Sequence, residues 1–138
     1  MLRWQAHWDS GAISAAEARA AVGSFLDRVR ATGRITVPDR VAQDAQLVVS
    51  ELITNVVQHA PGACGMGLEA WPESGLVQIS VWDTSPRPPL PRPHDGRRVG
   101  GHGLEIVGAV SHAVTVTERE PGKQVTAQLL LPPVSSAG

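Results

Sequence analysis

Ten residues at positions 51–60 decide the fold: Glu51-Leu-Ile-Thr-Asn55-Val-Val-Gln-His59-Ala60. At about 100° per residue they continue a predicted helix. Its apolar stripe consists of Val41, Ala45, Val48, Leu52 and Val56. Glu51 and Asn55 lie one turn apart along one edge of that stripe, which Asp44 and His59 share. Such a polar edge is either a solvated shoulder or part of a site for Mg²⁺, which prefers hard oxygen ligands.

A second informative element ends in Val81-Trp-Asp83-Thr-Ser-Pro86. The preceding residues alternate as a strand over 76–83, and Asp83 has the parity of the apolar face formed by Val77, Ile79 and Val81. A carboxylate on a buried face is costly unless something pairs with it. Asp83 therefore either caps the next turn or accepts a hydrogen bond from an exocyclic amine such as N6 of adenine.

A third element, Gly100-Gly-His-Gly103, precedes a short apolar helix predicted over 103–110. Glycines let the backbone approach phosphate oxygens, and a helix N-terminus favours their charge. The stretch lacks the lysine and serine or threonine of a P-loop, and it does not follow a strand as a Rossmann fingerprint does.

Length and composition favour one soluble cytoplasmic domain over residues 1–138, with a frayed tail at 132–138. The net charge of -1 gives no electrostatic reason to expect a nucleic-acid partner, and no apolar run is long enough for a membrane span. The single cysteine, Cys64, excludes an intrachain disulfide.

Hydrophobic periodicity and turn residues predict an α+β sandwich, with helices on one face of a mostly antiparallel sheet. The predicted strands are 2–8, 64–71, 76–83, 113–118 and 124–131, the last two joined by a hairpin turn at 120–123. Two helices follow the first strand: one opens at the capping box Ser14-Ala-Ala-Glu17 and ends at Gly33, and the other runs from Pro38 to about His59. Residues 84–99, rich in proline, form a long loop.

These motifs, in this order, resemble those of the GHKL superfamily of ATPases, and in particular the anti-sigma-factor serine kinases and their actinobacterial relatives. Residues 51–60 are similar to the N box of that superfamily, 81–88 to its first glycine box and 100–107 to its second. The likeness extends to Pro121-Gly-Lys-Gln-Val125 in the closing hairpin and so spans nearly the whole chain.

The resemblance implies a Bergerat-type ATP fold whose nucleotide lies between the helix layer and a lid formed by residues 84–99. It implies that Asn55 ligates Mg²⁺, that Glu51 is the general base and that Asp83 receives the adenine amine. Gly101, His102, Gly103 and Leu104 would contact the nucleotide, the two glycines through their backbone amides. The sequence leaves open whether Asp44, His59 or Lys123 touches phosphate, and His59 is the favoured candidate.

The sequence departs from the family pattern at four positions. Ser85 and Arg87 replace both glycines of the first box, His102 stands where relatives often carry arginine, and Gln124 stands where a nucleotide-facing threonine is common.

Two functions remain open. The chain is either an ATP-dependent serine/threonine kinase of anti-sigma type or a non-catalytic protein-binding module, gated by nucleotide or independent of it. The kinase would bind a sigma factor or similar regulator and phosphorylate a small antagonist protein. The first strand, residues 2–8, also permits a homodimer paired along its edge.

Overall fold

A computed structural model describes residues 1–8, 14–59, 62–84, 99–119 and 122–132, with the backbone only for residues 59 and 99–103. The elements follow the predicted order: β1 (Leu2–Trp8), α1 (Ala15–Ala31), α2 (Asp39–His59), β2 (Cys64–Trp71), β3 (Leu76–Asp83), α3 (Val99–Val110), β4 (Ala113–Glu118) and β5 (Lys123–Leu130). The predicted lid, apart from Thr84 and the backbone of Val99, lies outside the described residues.

The five strands form one sheet in the order β1-β2-β3-β5-β4, and each of its four described ladders is antiparallel. β3 occupies the centre, which explains why its helix-facing residues Val77, Ile79, Val81 and Asp83 are all buried. The α+β fold class and the antiparallel sheet are thus confirmed.

The helices form a second layer on one face of the sheet. Ser14 opens α1 as predicted, since its hydroxyl accepts a 3.1 Å hydrogen bond from the Glu17 amide. α2 packs between α1 and α3 and lies over β3 and β5. The apolar stripe of α2 fills the centre of the core together with residues of β2 and β3. This arrangement makes α2 the element that positions polar side chains between the helix layer and the sheet.

Two differences from the predicted element boundaries bear on the candidate site, and the other boundaries agree within two residues. α3 begins at Val99 rather than Gly103, so the glycines form its first turn instead of preceding it. Their low helix propensity is a weak preference, and packing of α3 against α2 outweighs it.

The closing hairpin is also tighter than predicted, because β5 begins at Lys123 and not at Gln124. Gly122, at φ 97°, takes the left-handed turn conformation, and its carbonyl accepts a 2.9 Å hydrogen bond from the Arg119 amide. The turn therefore closes at Gly122, and Lys123 enters the ladder.

Candidate nucleotide site

The polar edge of α2 is half-buried. Asp44, Glu51 and Asn55 are all partly covered, whereas the adjoining stripe residues Val48 and Leu52 are fully buried. Among the described residues, neither the Glu51 carboxylate nor the Asn55 amide has a hydrogen-bond or ion-pair partner. The edge thus presents a carboxylate and an amide oxygen one helical turn apart, and no residue in the described part of the chain satisfies them.

The amide oxygen of Asn55 fits a magnesium ion shared with phosphates, and the Glu51 carboxylate lies one turn away from it. Mg²⁺ is usually held by one or two protein oxygens, with the remaining positions taken by water and phosphate. The described residues contain no cluster of three or more histidine, cysteine, aspartate or glutamate side chains suited to a metal. A magnesium ion held by protein ligands alone therefore has no support in that part of the chain.

The end of β3 carries the second part of the site. Asp83 is only 3% exposed, as its parity in the strand predicts. The carboxylate contacts the ammonium of Lys123, with Nζ and Oδ2 2.9 Å apart, and the two side chains are 12% and 4% exposed. The buried charge that the sequence pattern indicated is therefore paired within the protein, across the β3–β5 ladder.

Gly122 makes that pairing possible. A Cβ on this residue would overlap the carbonyl oxygen of Asp83 and would lie 2.7 Å from Cα of Thr84. Only glycine allows the start of β5 to approach the end of β3 this closely. Gly122 thus allows the Lys123 side chain to lie beside Asp83.

On its other side Asp83 faces Cys64 of β2, its partner in the β2–β3 register. Burial, and then the negative charge of Asp83, raise the pKa of the Cys64 thiol. The thiol is consequently neutral at physiological pH. Cys64 and Lys123 are the cross-strand neighbours of Asp83. Of the two, Lys123 carries the positive charge that balances the Asp83 carboxylate.

The sequence left Lys123 open only as a phosphate contact, and its pairing with Asp83 was not predicted, because Lys123 was placed in the hairpin turn. Gln124, which was compared with a nucleotide-facing threonine, lies instead on the opposite face of the sheet. There its amide donates to the Thr126 hydroxyl at 3.1 Å and accepts from Arg119 at 3.3 Å. One signal in the sequence marks Lys123: it is the only lysine, since 11 of the 12 basic residues are arginine.

The remaining predicted site residues lie on α3 and at the end of α2. Gly101, His102 and Gly103 fall in the first turns of α3, and His59 is the last residue of α2. The structure describes only the backbone of these residues. Leu104 is partly buried and packs against the core. Because α2 and α3 are neighbours, the backbone of these glycines belongs to the element that flanks the helix carrying Glu51 and Asn55.

A family model describes this combination of fold and motifs. Residues 13–129 match the model of the histidine kinase-like ATPase domain, so the chain belongs to that family and to the GHKL superfamily. It is an ATP-binding module of the class, with the Bergerat-type α+β fold. No curated protein matches the chain.

The fold also resembles a solved structure, the histidine kinase domain of the blue-light-activated histidine kinase of Erythrobacter litoralis. The TM-score is 0.53 at 23% sequence identity, over 82% of this chain and 60% of that one. The chain thus spans less than two thirds of the structure it matches, and the likeness concerns the fold. Within the described residues, every helix is too short or too polar to cross a bilayer.

Proposed function

We propose that this protein is an ATP-dependent regulatory serine/threonine kinase of the anti-sigma-factor type, acting in the cytoplasm. It would bind a sigma factor or similar regulator, phosphorylate a serine of a small antagonist protein and thereby exchange partners. The observation that carries the proposal is the half-buried pair Glu51 and Asn55, which has no partner among the described residues. The pair lies on α2, the helix that packs against α3, and α3 carries the family's glycine motif in its first turns.

Each end of the proposed site has a distinct task. Asp83 would accept a hydrogen bond from the adenine amine, and a buried acceptor discriminates against bases that lack the donor. The amides of the first turn of α3, among them Gly101, have no acceptor within the helix and suit phosphate oxygens. Gly103, further along α3, donates within the helix and is a weaker candidate than the resemblance implied.

The chemistry would take place between α2 and the phosphates. Asn55 would hold Mg²⁺, which when bound neutralises charge on the phosphates. Glu51, one turn away, would accept the proton of the attacking serine hydroxyl. Its carboxylate is half-buried and without a described partner, so it is available to a substrate that enters from that side.

The test separates nucleotide binding from phosphoryl transfer. Glu51→Ala is expected to keep the ATP affinity of the wild type, measured by calorimetry with Mg²⁺, and to lose transfer from labelled ATP to candidate antagonist proteins. Asp44→Asn, which removes another acid from the same helix edge, is the matched control and should retain both. Equal loss of binding and transfer in Glu51→Ala would refute its role as the base.

One observation favours the second candidate, a binding module without kinase activity. Asp83 already has an ammonium partner, which the adenine amine must share or displace. The replacements at Ser85, Arg87 and His102 point in the same direction. A module of this kind would transfer no label to any antagonist protein, whether or not it binds ATP.

We also propose that two copies of the chain form a homodimer through β1. β1 forms one edge of the sheet, and its outer side can add a strand from another chain. Light scattering of the purified protein would measure the mass directly.

A further inference from the structure

The only lysine of the chain lies, largely covered, beside the carboxylate proposed to bind the adenine amine. Its ammonium, 12% exposed, lies 2.9 Å from Oδ2 of Asp83. A lone lysine in a chain that otherwise uses arginine, covered to this extent, is unusual, because lysine is almost never buried without a partner. Its placement also requires Gly122, since any side chain there would overlap the backbone of Asp83.

The pair presents two complementary groups to whatever lies against the end of β3. An ionised carboxylate only accepts hydrogen bonds, whereas an ammonium only donates them and has three donors to distribute. The neutral Cys64 thiol on the other side of Asp83 supplies no second charge. An acceptor and a donor 2.9 Å apart match two adjacent polar atoms of a purine edge.

We propose that Lys123 is a second residue that recognises the adenine ring: its ammonium donates a hydrogen bond to N1 of adenine while Asp83 accepts one from the N6 amine. This inference rests on the proposed nucleotide site and adds to it the selection of the base. Adenine offers a donor at N6 beside an acceptor at N1, which is the complement of the carboxylate and ammonium.

Guanine presents the reverse order, an acceptor at O6 and a donor at N1. In the same orientation its O6 would face the carboxylate and its N1–H would face the ammonium. Both contacts would be unfavourable, and buried polar groups without partners give the strongest discrimination between ligands. Lys123 therefore reinforces the preference for adenine that Asp83 alone would give.

The experiment compares ATP with 1-deaza-ATP, in which a carbon replaces N1 and the N6 amine remains. By calorimetry the wild type should bind 1-deaza-ATP about tenfold more weakly than ATP, the effect of one hydrogen bond to a charged group. In Lys123→Met the two ligands should bind within about twofold of each other. Equal affinities in the wild type, or an unchanged ratio in the variant, would overturn the proposal.

A second measurement does not depend on the folding of a variant. With nitrogen-15 in the lysine side chain, the protein has one Nζ signal, which belongs to Lys123. ATP should shift this signal more than saturating 1-deaza-ATP does, and equal shifts would overturn the assignment. Purine riboside triphosphate, which lacks only the amine, should still shift it.

The outcomes also separate this inference from the proposed kinase. Selective binding of ATP over 1-deaza-ATP without phosphoryl transfer would refute the kinase and support the role of Lys123. Transfer with equal affinity for both ligands would do the reverse. A wild type that binds no nucleotide would refute both.

Discussion

The two halves of the candidate nucleotide site, the end of β3 and the polar edge of α2, satisfy their polar groups differently. At the end of β3, Asp83 is buried and paired with Lys123 by the protein itself. On α2, Glu51 and Asn55 are half-buried and have no partner among the described residues. The charges at the end of β3 are thus paired with each other within the described protein. The polar groups of Glu51 and Asn55 can be satisfied only by groups outside the described residues.

This difference follows from where each half is anchored. The ion pair spans the neighbouring strands β3 and β5, where an unpaired buried charge would be costly, so each charge depends on the other. The helix edge retains contact with water, which satisfies its groups at little cost when no ligand is present. Stability should therefore depend strongly on the strand end and weakly on the helix edge, whereas phosphoryl transfer should depend on the helix edge.

The largest expected effect is that of Lys123→Met. It leaves the buried Asp83 carboxylate without its ammonium, and breaking a buried pair in this way destabilises by about 3–5 kcal/mol. The free energy of unfolding, from urea denaturation followed by circular dichroism, measures the loss.

The double variant Asp83→Val/Lys123→Met is the control, because it removes both charges and leaves β-forming or flexible apolar side chains. It should recover most of the stability lost in Lys123→Met. A single variant as stable as the wild type would show that the pair does not hold the strand end together.

Gly122→Ala should have the next largest effect. The new Cβ would meet the backbone of Asp83 at a residue with φ 97°, so strain and overlap add, and we expect a loss of about 2–4 kcal/mol. Gly33→Ala is the matched control: φ there is 69° with nothing within 4 Å of the added Cβ, so only strain of about 1–2 kcal/mol remains. Equal losses in both would mean that the hairpin moves away without cost.

The sequence predicted the half of the site that depends on local periodicity. Helical spacing placed Glu51 and Asn55 on one edge, and strand alternation placed Asp83 on the buried face. The pairing of Lys123 with Asp83 was not predicted, because it depends on a cross-strand register, which the conformation of Gly122 fixes. The predicted start of α3 was wrong for a related reason. The low helix propensity of the glycines was outweighed by packing of α3 against α2, and no short stretch of sequence reveals that packing.

The smallest expected effect completes the contrast between the two halves. Glu51→Gln and Asn55→Ala should each change the free energy of unfolding by less than about 0.5 kcal/mol, because these half-buried groups have no described partner to lose. The same urea denaturation measures this, and phosphoryl transfer in the same preparations should fall sharply if the proposed roles hold. A loss of stability comparable to that of Lys123→Met would mean that the helix edge is also a structural cluster, partnered by residues outside the described part of the chain. The contrast between the two halves would then be false, and the catalytic assignment of Glu51 would lose its main support.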